Sequence, residues 1–561
     1  MQAPNPMSST LFQRVRIAGK TALFTKETLA AVLFLVVLIA YEMTVLRVPF
    51  RHYFQNLQRG EFLIGFGAML IVFASWVWAG LFFRASLLSS YAARIAYFGL
   101  FAVAASFEYG YQRAFFRFST TEDLRIALFD ATAQQRVDSV ITYANWLMII
   151  PCVAYATLLF SFRGKRRKSW LTLGLLLAVL IGFYGAIGSY VSGHFTAVSL
   201  TAFMRTIIIS PWKWARNYNG PREMVAPHPE HRPQNNIVFV IDESIRGDHL
   251  SINGYSRPTT PHLDYLGKQG WLYNWGIAAA GATCSFVSDT LLFTGMAPTQ
   301  LPDSGFQVRK IPSIFQYAKA MGYQTHFLDA QKDDYWLGTS FDRAFFDNWQ
   351  PASSFDSANG FDRDEALAKR INEIVGSSTG QFIWVIKLGV HYPYSRAFPP
   401  SATEWKPDAR SGHIPLPNEQ LINEYDNGLK YNLQSFFGAL EVSKWSKQTI
   451  LIYTSDHGQT LSEHGEQHTH CGSVGNIFPT EVKVPLFMIS REPLAVDTGY
   501  RASHSNIFAT LLDLMDFPAN ERRREYALSL LTAKARDSQT RYFWVGDPHE
   551  KILGTRLKFD Q

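Results

Sequence analysis

Three short polar runs in this sequence each follow an apolar stretch, and together they hold the residue types of a metal site. Residues 237–241 lead into Asp242-Glu243-Ser244, residues 382–388 lead toward His391, and residues 449–454 lead into Ser455-Asp456-His457-Gly458. Carboxylates and imidazoles delivered to one place by separate strands make a hard-to-borderline ligand set, for which zinc is the leading candidate. Singly, each is as well read as a turn or a cap; three convergent strand ends point to ligands. A fourth segment, Gly281-Ala282-Thr283-Cys284-Ser285-Phe286-Val287-Ser288, sets small hydroxyl residues ahead of a helical apolar pattern. A hydroxyl at a helix N-terminus lies where backbone N–H groups favour phosphate or sulfate, and metal coordination lowers its pKa toward the alkoxide. Thr283 and Ser285 both fit that place, and either also fits a plain helix cap.

The elements that must position these residues are legible after about residue 220. Short β-rich runs at 237–241, 323–328, 382–388, 449–454 and 484–489 alternate with helical patterns at 313–321, 362–375, 418–440 and 506–515. Buried strands alternating with helices predict a mostly parallel sheet covered on both faces. In such sheets the working residues collect just beyond the carboxyl ends of strands, which is where the polar runs stand.

The rest of the chain is of another kind. Of 561 residues, 47% are hydrophobic, 15% aromatic and only 18% charged, with a formal net charge of +7. This length predicts two or three domains. The mean hydropathy of −0.04 averages two unlike halves. Five apolar segments, about 27–46, 61–83, 91–112, 140–162 and 170–192, are each long enough to cross a hydrocarbon layer roughly 30 Å thick. Lys and Arg flank them asymmetrically: Arg14, Arg16, Lys20 and Lys26 precede the first, and Arg163-Gly164-Lys165-Arg166-Arg167-Lys168 joins the fourth to the fifth. Both clusters are expected on the cytoplasmic side, and an odd number of spans then puts the α/β region on the opposite side. Residues 203–218, with Trp212, Trp214, Lys213 and Arg216, suit an interfacial amphipathic helix, and 221–233 reads as a linker. The expected division is a transmembrane domain over 1–195, interfacial helix and linker over 196–235, and an α/β domain over 236–561. The charge thus has a membrane explanation, with no nucleic-acid module. Cys152, Cys284 and Cys471 are too few for a disulfide scaffold, a zinc ribbon or a CxxC site.

The motifs carry a family resemblance. IDESIRGDHLSINGYSRPTTPHLD at 241–264 resembles the first active-site block of bacterial phosphoethanolamine transferases, membrane enzymes of the alkaline phosphatase/sulfatase superfamily. TSDHGQTLSEHG at 454–465 resembles their metal-binding block, and NEYDNGLKY at 423–431 another family segment. The resemblance implies five membrane helices in the bacterial inner membrane and a periplasmic sulfatase-like catalytic domain with a mostly parallel central sheet. Carried over, Glu243, Asp456 and His457 are metal ligands, and His391 contributes to phosphate binding or to a second metal. A further family His maps to His470, ahead of His468 and His464. Anchoring Ser288 and Phe293 on the family pattern, or counting ten residues back from Gly295 on the sulfatase pattern, makes Ser285 the nucleophile and a metal ligand. Thr283 stays the alternative, since the family Pro is missing from this block. Arg246 has two readings, a phosphate ligand or a side chain that orients Asp248. Tyr425, Asp426 and Asn427 line a substrate pocket or pack a helix. Many relatives carry several disulfides in this domain; here only Cys284 and Cys471 are at hand, and both pairing and two free thiols stay open.

The implied reaction moves phosphoethanolamine from phosphatidylethanolamine to an envelope acceptor, lipopolysaccharide, lipid A or glycan, through a phosphoethanolamine-Ser/Thr intermediate. It implies one tight zinc site, with a second left open. The rival readings are a phosphoglycerol transferase of the same superfamily and a non-catalytic envelope scaffold. A complete Glu243, Asp456, His457 set speaks against the scaffold.

Overall fold

The computed structural model describes residues 25–45, 62–115, 119, 124, 146–162, 169–187, 198–216, 221–333, 340–356, 360–408, 418–463, 469–471, 477–522, 524, 526–546, 548–549 and 554–559. They fall into two compact units, the chain passing from one to the other after Ala215.

The first unit is helical: α1 (Lys26–Val45), α2 (Phe62–Leu88), α3 (Tyr91–Phe115), α4 (Ile149–Ser161), α5 (Ser169–Ile187) and α6 (Ser199–Arg216). Helices overlap all five expected spans. Among the described residues, Lys26–Thr44 and Met69–Leu88 are long and apolar enough to cross a membrane by themselves. Helix α1 is apolar all round: Ala31, Leu35 and Leu38 are buried, while Leu29, Leu33, Val36 and Val37 stay exposed. Such a surface suits lipid rather than water. The expected interfacial helix forms as α6, but its start is packed into this unit. Ser199 donates to Glu42 through its backbone N–H and its hydroxyl, and Leu200, Ala202 and Ile209 are buried.

The second unit is built on a seven-stranded sheet in the order β2-β7-β6-β1-β5-β3-β4. Its strands are β1 (Asn236–Asp242), β2 (Leu272–Ala279), β3 (Gln324–Asp329), β4 (Asn348–Gln350), β5 (Gln381–Ile386), β6 (Thr449–Ser455) and β7 (Lys483–Ser490). The five from β6 to β4 run parallel; at one edge β7 pairs antiparallel with β6 and β2 antiparallel with β7, so that β7 alone is reversed. The sheet is therefore mixed, although mostly parallel. Alternate residues of β1 enter two cores: Ile237, Phe239 and Ile241 one, Val238 and Val240 the other, as the two-residue strand period demands. Helices α9 (Ile314–Ala320) and α12 (Ser505–Leu514) cover the first face; α10 (Arg363–Ser377) and α11 (Asn418–Ala439) cover the second. Helix α7 (Pro261–Lys268) follows the first polar run, α8 (Ser285–Thr294) carries the hydroxyl segment, and a hairpin, β8 (Arg541–Gly546) with β9 (Gly554–Phe559), closes the chain.

The stretch 221–233, expected as a linker, is packed on this unit. Arg222 is buried, paired with Asp342 at 2.9 Å and donating to the Val308 and Ile311 carbonyls. Val225 joins the core, and the His228 N–H reaches the Ala320 carbonyl. The buried guanidinium, with the bonds of Glu223, His228 and His231, makes this Pro- and His-rich stretch a strap.

Candidate metal and nucleophile site

Glu243 stands one residue past β1. Its neighbour Asp242 is fully buried, and Asp242 Oδ2 accepts from Lys387 and, at 2.5 Å, from the Tyr453 hydroxyl. Asp242 Oδ1 accepts the Glu243 N–H at 2.9 Å, which fixes where the Glu243 backbone leaves the strand. Ser244 then turns through a left-handed φ of 65°, an uncommon conformation for a residue with a Cβ and one that clusters at functional sites. It is held by Asp456 Oδ1, which accepts the Ser244 N–H at 3.0 Å, and by a bond from its hydroxyl to Glu243 Oε1. Opposite, Gly389 passes so close that a Cβ there would meet Asp242 Oδ1 and the Glu243 carbonyl at 2.6 Å. Only glycine lets the chain leading to His391 lie against this acid.

Asp456 and His457 follow β6. Asp456 Oδ1 is occupied by the Ser244 and His457 N–H groups; its Oδ2 is buried with no hydrogen-bond partner. His457 Nδ1 lies 2.7 Å from the Gly458 carbonyl, so Nδ1 carries the proton and Nε2 presents a lone pair. This outer hydrogen bond is the one that orients metal-binding histidines. Nε2 is 3.2 Å from Asp456 Oδ2 and 3.6 Å from Glu243 Oε1, and one ligand atom from each of the three residues lies within 4.8 Å of the others. Burial, and then the nearby Glu243 charge, push the Asp456 carboxyl up to about 6. Burial alone would depress His457, but Asp456 and Glu243 outweigh it and hold the ring above its usual range. Two buried acids, an orphaned carboxylate oxygen and an imidazole lone pair aimed at one point fit a divalent cation, and the N,O donor set suits zinc.

The hydroxyl segment arrives from the side. Cys284 is the N-cap of α8 and Ser285 its first residue; Ser285 Oγ is 3.1 Å from His457 Nε2. Thr283 is buried, and its Oγ1 has no hydrogen-bond partner. Of the two candidate hydroxyls, it is Ser285 that reaches the ligand cluster. Cys284 and Cys471 form a disulfide, resolving the open alternative in favour of pairing and tying the helix start to the segment that carries His470. The loop before the helix is also bonded to β8: Trp544 N–H donates to the Gly281 carbonyl at 2.9 Å and Thr283 N–H to the Trp544 carbonyl at 3.2 Å.

The structure brings His470 and His391 to the same place. The His470 ring stacks on that of His457 with centroids 4.3 Å apart, and meets His391 edge-on at 5.9 Å. His391 is exposed, and its Nδ1 is 2.7 Å from the Tyr392 carbonyl, which puts the ring lone pair on Nε2. His464 and His468 lie outside the described residues.

Four residues that the sequence left open between substrate contact and structural work have protein partners. Arg246 pairs with Asp248 at 2.9 Å and with Glu463, joining two loops of the site. Tyr425 donates to the Ser244 carbonyl and accepts the Arg246 N–H, both at 2.8 Å. Asp426 accepts from His249, Tyr255 and Arg257 at 2.7 to 2.8 Å. Asn427 accepts from the Glu404 and Trp405 N–H groups at 2.9 Å. Tyr425, Asp426 and Asn427 are all buried. Their polar atoms are used within the protein, so they build the floor behind the first polar run instead of lining a pocket.

Sequence reasoning missed Asp289, Gln331, Lys387, His504 and Trp544. Gln331 Nε2 reaches Glu243 Oε2 at 3.3 Å. Asp289, one turn after Ser285, has its carboxyl pushed well up by burial and by the Asp456 and Glu243 charges. A charged residue four positions after a candidate nucleophile on an apolar helix was the available signal for Asp289. Lys387 gave none, standing within a run that reads as ordinary strand, and Trp544 stands in a stretch to which the sequence assigns no element.

A family model described as Sulfatase matches residues 235–517. The chain is 25% identical over 314 residues to the Kdo(2)-lipid A phosphoethanolamine 7''-transferase of Salmonella typhimurium, covering 55% of this chain and 53% of that protein. It is 26% identical over 339 residues to phosphoethanolamine transferase EptA of Escherichia coli O157:H7, covering 57% and 60%. The alignments thus span roughly half of these relatives' own length. In fold, the chain is similar to the integral membrane lipooligosaccharide phosphoethanolamine transferase A from Neisseria meningitidis, with a TM-score of 0.61 at 18% identity over 86% of this chain and 95% of that one. The periplasmic domain of EcEptC from Escherichia coli, in complex with Zn, matches with a TM-score of 0.50 at 20% identity over 60% and 96%. With the matched region holding every element of the sheet and both ligand-bearing strand ends, the chain belongs to the Sulfatase family.

Proposed function

We propose that this protein is a multi-pass inner-membrane enzyme, with five spans and a periplasmic catalytic domain, that transfers phosphoethanolamine from phosphatidylethanolamine to a lipid or glycan acceptor of the cell envelope. The observation that carries the reading is Ser285 Oγ at 3.1 Å from His457 Nε2, at the edge of the Glu243, Asp456 and His457 cluster. The relatives named as phosphoethanolamine transferases support the group transferred.

Glu243, Asp456 and His457 would hold zinc, with Ser285 as the fourth ligand. Zinc when bound supplies positive charge that favours the serine alkoxide and the charge developing on phosphorus. Ser285 Oγ attacks the phosphorus of the donor; the Oγ–P bond forms as the bond from phosphorus to the diacylglycerol oxygen breaks. His391 and His470, whose rings stand beside the cluster, take up the proton that Ser285 Oγ gives up and deliver it to the diacylglycerol oxygen. In the second half the same rings accept the proton of the acceptor hydroxyl, whose oxygen attacks phosphorus while the Oγ–P bond breaks and Ser285 regains its proton. Tethering to membrane helices keeps the site near a donor that stays in the bilayer, a gain of effective concentration.

Mass spectrometry of envelope lipids and glycans from cells with the gene, without it, and with Ser285→Ala or Thr283→Ala tests this. A phosphoethanolamine-bearing species is expected with wild type and T283A, and lost in the deletion and S285A. If no such species disappears in the deletion, the function is wrong.

A further inference from the structure

His504 stands just before α12 and is buried at 3% exposure, yet its ring touches both halves of the site. Its Nδ1 accepts the Gly281 backbone N–H at 3.1 Å, four residues before Ser285. Ser288, in the first turn of α8, has its Oγ 3.1 Å from the same nitrogen and donates to the Asp456 carbonyl at 2.5 Å. On the other side of the ring, Nε2 is 3.0 Å from Thr454 Oγ1. The Thr454 hydroxyl gives its own proton to the Pro485 carbonyl at 2.9 Å, so it is the acceptor and Nε2 the donor. The bonds fix one tautomer, Nε2–H: the Gly281 N–H donates to Nδ1 and Nε2–H donates to Thr454 Oγ1, while the Ser288 hydroxyl, its proton given to the Asp456 carbonyl, only packs against Nδ1.

We propose that His504 is a positioning residue: by bonding Gly281 of the nucleophile segment to Thr454 of the metal-binding strand, with Ser288 packed against its ring, it sets Ser285 Oγ at its distance from Asp456 and His457. The inference rests on the reading of Ser285 as nucleophile. Two segments far apart in the chain meet at this ring, beside the links from Ser288 to the Asp456 carbonyl and from Ser285 to His457. Burial holds the imidazole low, at about 3, so the ring stays neutral at working pH and adds no charge to the cluster. A misplacement of a nucleophile by about 1 Å costs on the order of 100-fold in rate, and this is the size of effect the clamp controls.

The test uses the full-length protein in lipid nanodiscs, with H504A, H504N and H504Q. Asn places an amide oxygen where Nδ1 accepts from Gly281; Gln places an amide N–H where Nε2 donates to Thr454. Against phosphatidylethanolamine, H504A is expected to lose about 100-fold in kcat with KM and zinc content within about twofold of wild type, and H504N to recover at least about tenfold of that loss. In structures of the variants, the separation of Ser285 Oγ from His457 Nε2 is expected to grow in H504A and return toward 3.1 Å in H504N. Unchanged kcat in H504A, equal loss in all folded variants, or an unchanged separation overturns the proposal. Should H504A fail to fold, H504N against H504Q decides, the first expected to be the more active. If the wild-type chain itself does not turn over this lipid, the functional reading fails, and the separation, which needs no substrate, still judges the clamp.

Discussion

Ser285 Oγ lies 3.1 Å from His457 Nε2, while Thr283, two residues earlier, turns its hydroxyl into a buried place with no partner. The two hydroxyls are therefore expected to separate cleanly on mutation. Ser285→Ala removes the attacking atom and is expected to cost about 10⁴-fold or more in transfer, the scale seen when a nucleophile is deleted. Thr283→Ala is expected to keep transfer within a few fold and shift stability by about 1 kcal/mol. Radiolabelled donor turnover and thermal melts of both variants check this.

Metal retention follows from the ligand geometry. Glu243→Ala and Asp456→Ala each remove one of three buried donors that lie within 4.8 Å of one another, and zinc affinity is expected to fall well beyond the roughly 10- to 100-fold typical of outer-shell changes. Gln331→Ala, which removes no ligand but the 3.3 Å bond to Glu243 and a 2.8 Å bond to the Lys387 carbonyl, is expected to fall within that range. Competition titration against a chromophoric chelator measures all three.

The pH dependence of stability should reverse with metal. In ion-free protein the Asp456 carboxyl is raised, to about 6, by burial and by Glu243, and His457 is raised by Asp456 and Glu243 against the pull of burial. A raised folded-state pKa means that the native state binds more protons than the unfolded chain, so both groups add stability on the acid side and lose it as pH rises. Ion-free protein is expected to melt higher at pH 6 than at pH 8. With zinc, whose ligands must be deprotonated, the order inverts. Calorimetry in chelator and in excess zinc gives the two slopes.

The Cys284–Cys471 bridge closes a loop with a sequence separation of 187. In the chain-entropy account a loop of that size is worth about 5 kcal/mol at most, with measured values commonly about 2–4. Reduction is expected to lower stability by such an amount and, because the bridge joins the cap of the Ser285 helix to the His470 segment, to lower kcat more than it raises KM. Denaturant titration and kinetics with and without reductant read the two effects.

Asp426 tests the reassigned acids. It is fully buried and accepts from His249, Tyr255 and Arg257. Asp426→Ala leaves the partly exposed Arg257 guanidinium, the His249 ring and the Tyr255 hydroxyl without their shared acceptor and is expected to cost about 1–3 kcal/mol. In protein that still folds, KM for the donor should stay near wild type, as a floor residue requires and a pocket residue would not.

What the sequence revealed of this molecule follows from which signals are local. Strands β1, β3, β5, β6 and β7 were visible as apolar runs because they are buried on both faces, and their ends displayed Glu243, Asp456 and His457. Helices α9 to α12 matched within two residues, their apolar spacing being unambiguous. Strand β2 was missed because Asn274 and Gly276 interrupt it at an irregularity in its pairing, and the antiparallel return of β7 is a property of the partner edge, invisible within the strand itself. Tyr425, Asp426 and Asn427 stayed open between pocket lining and packing because polarity on a helix does not say whether its partners are protein or substrate. Arg222 made 221–233 a strap through Asp342, 120 residues away, and His504 serves Gly281, 223 residues away. Such roles exist only once the fold has closed.

The central claim is that Ser285 carries the transferred group. Full-length protein loaded with zinc, mixed with phosphatidylethanolamine without acceptor, quenched in acid and digested, is to be analysed by tandem mass spectrometry. The account predicts a phosphoethanolamine adduct on Ser285, formed in wild type and absent from S285A. An adduct on Thr283, or turnover of the lipid with Ser285 unmodified in the quenched enzyme, contradicts it.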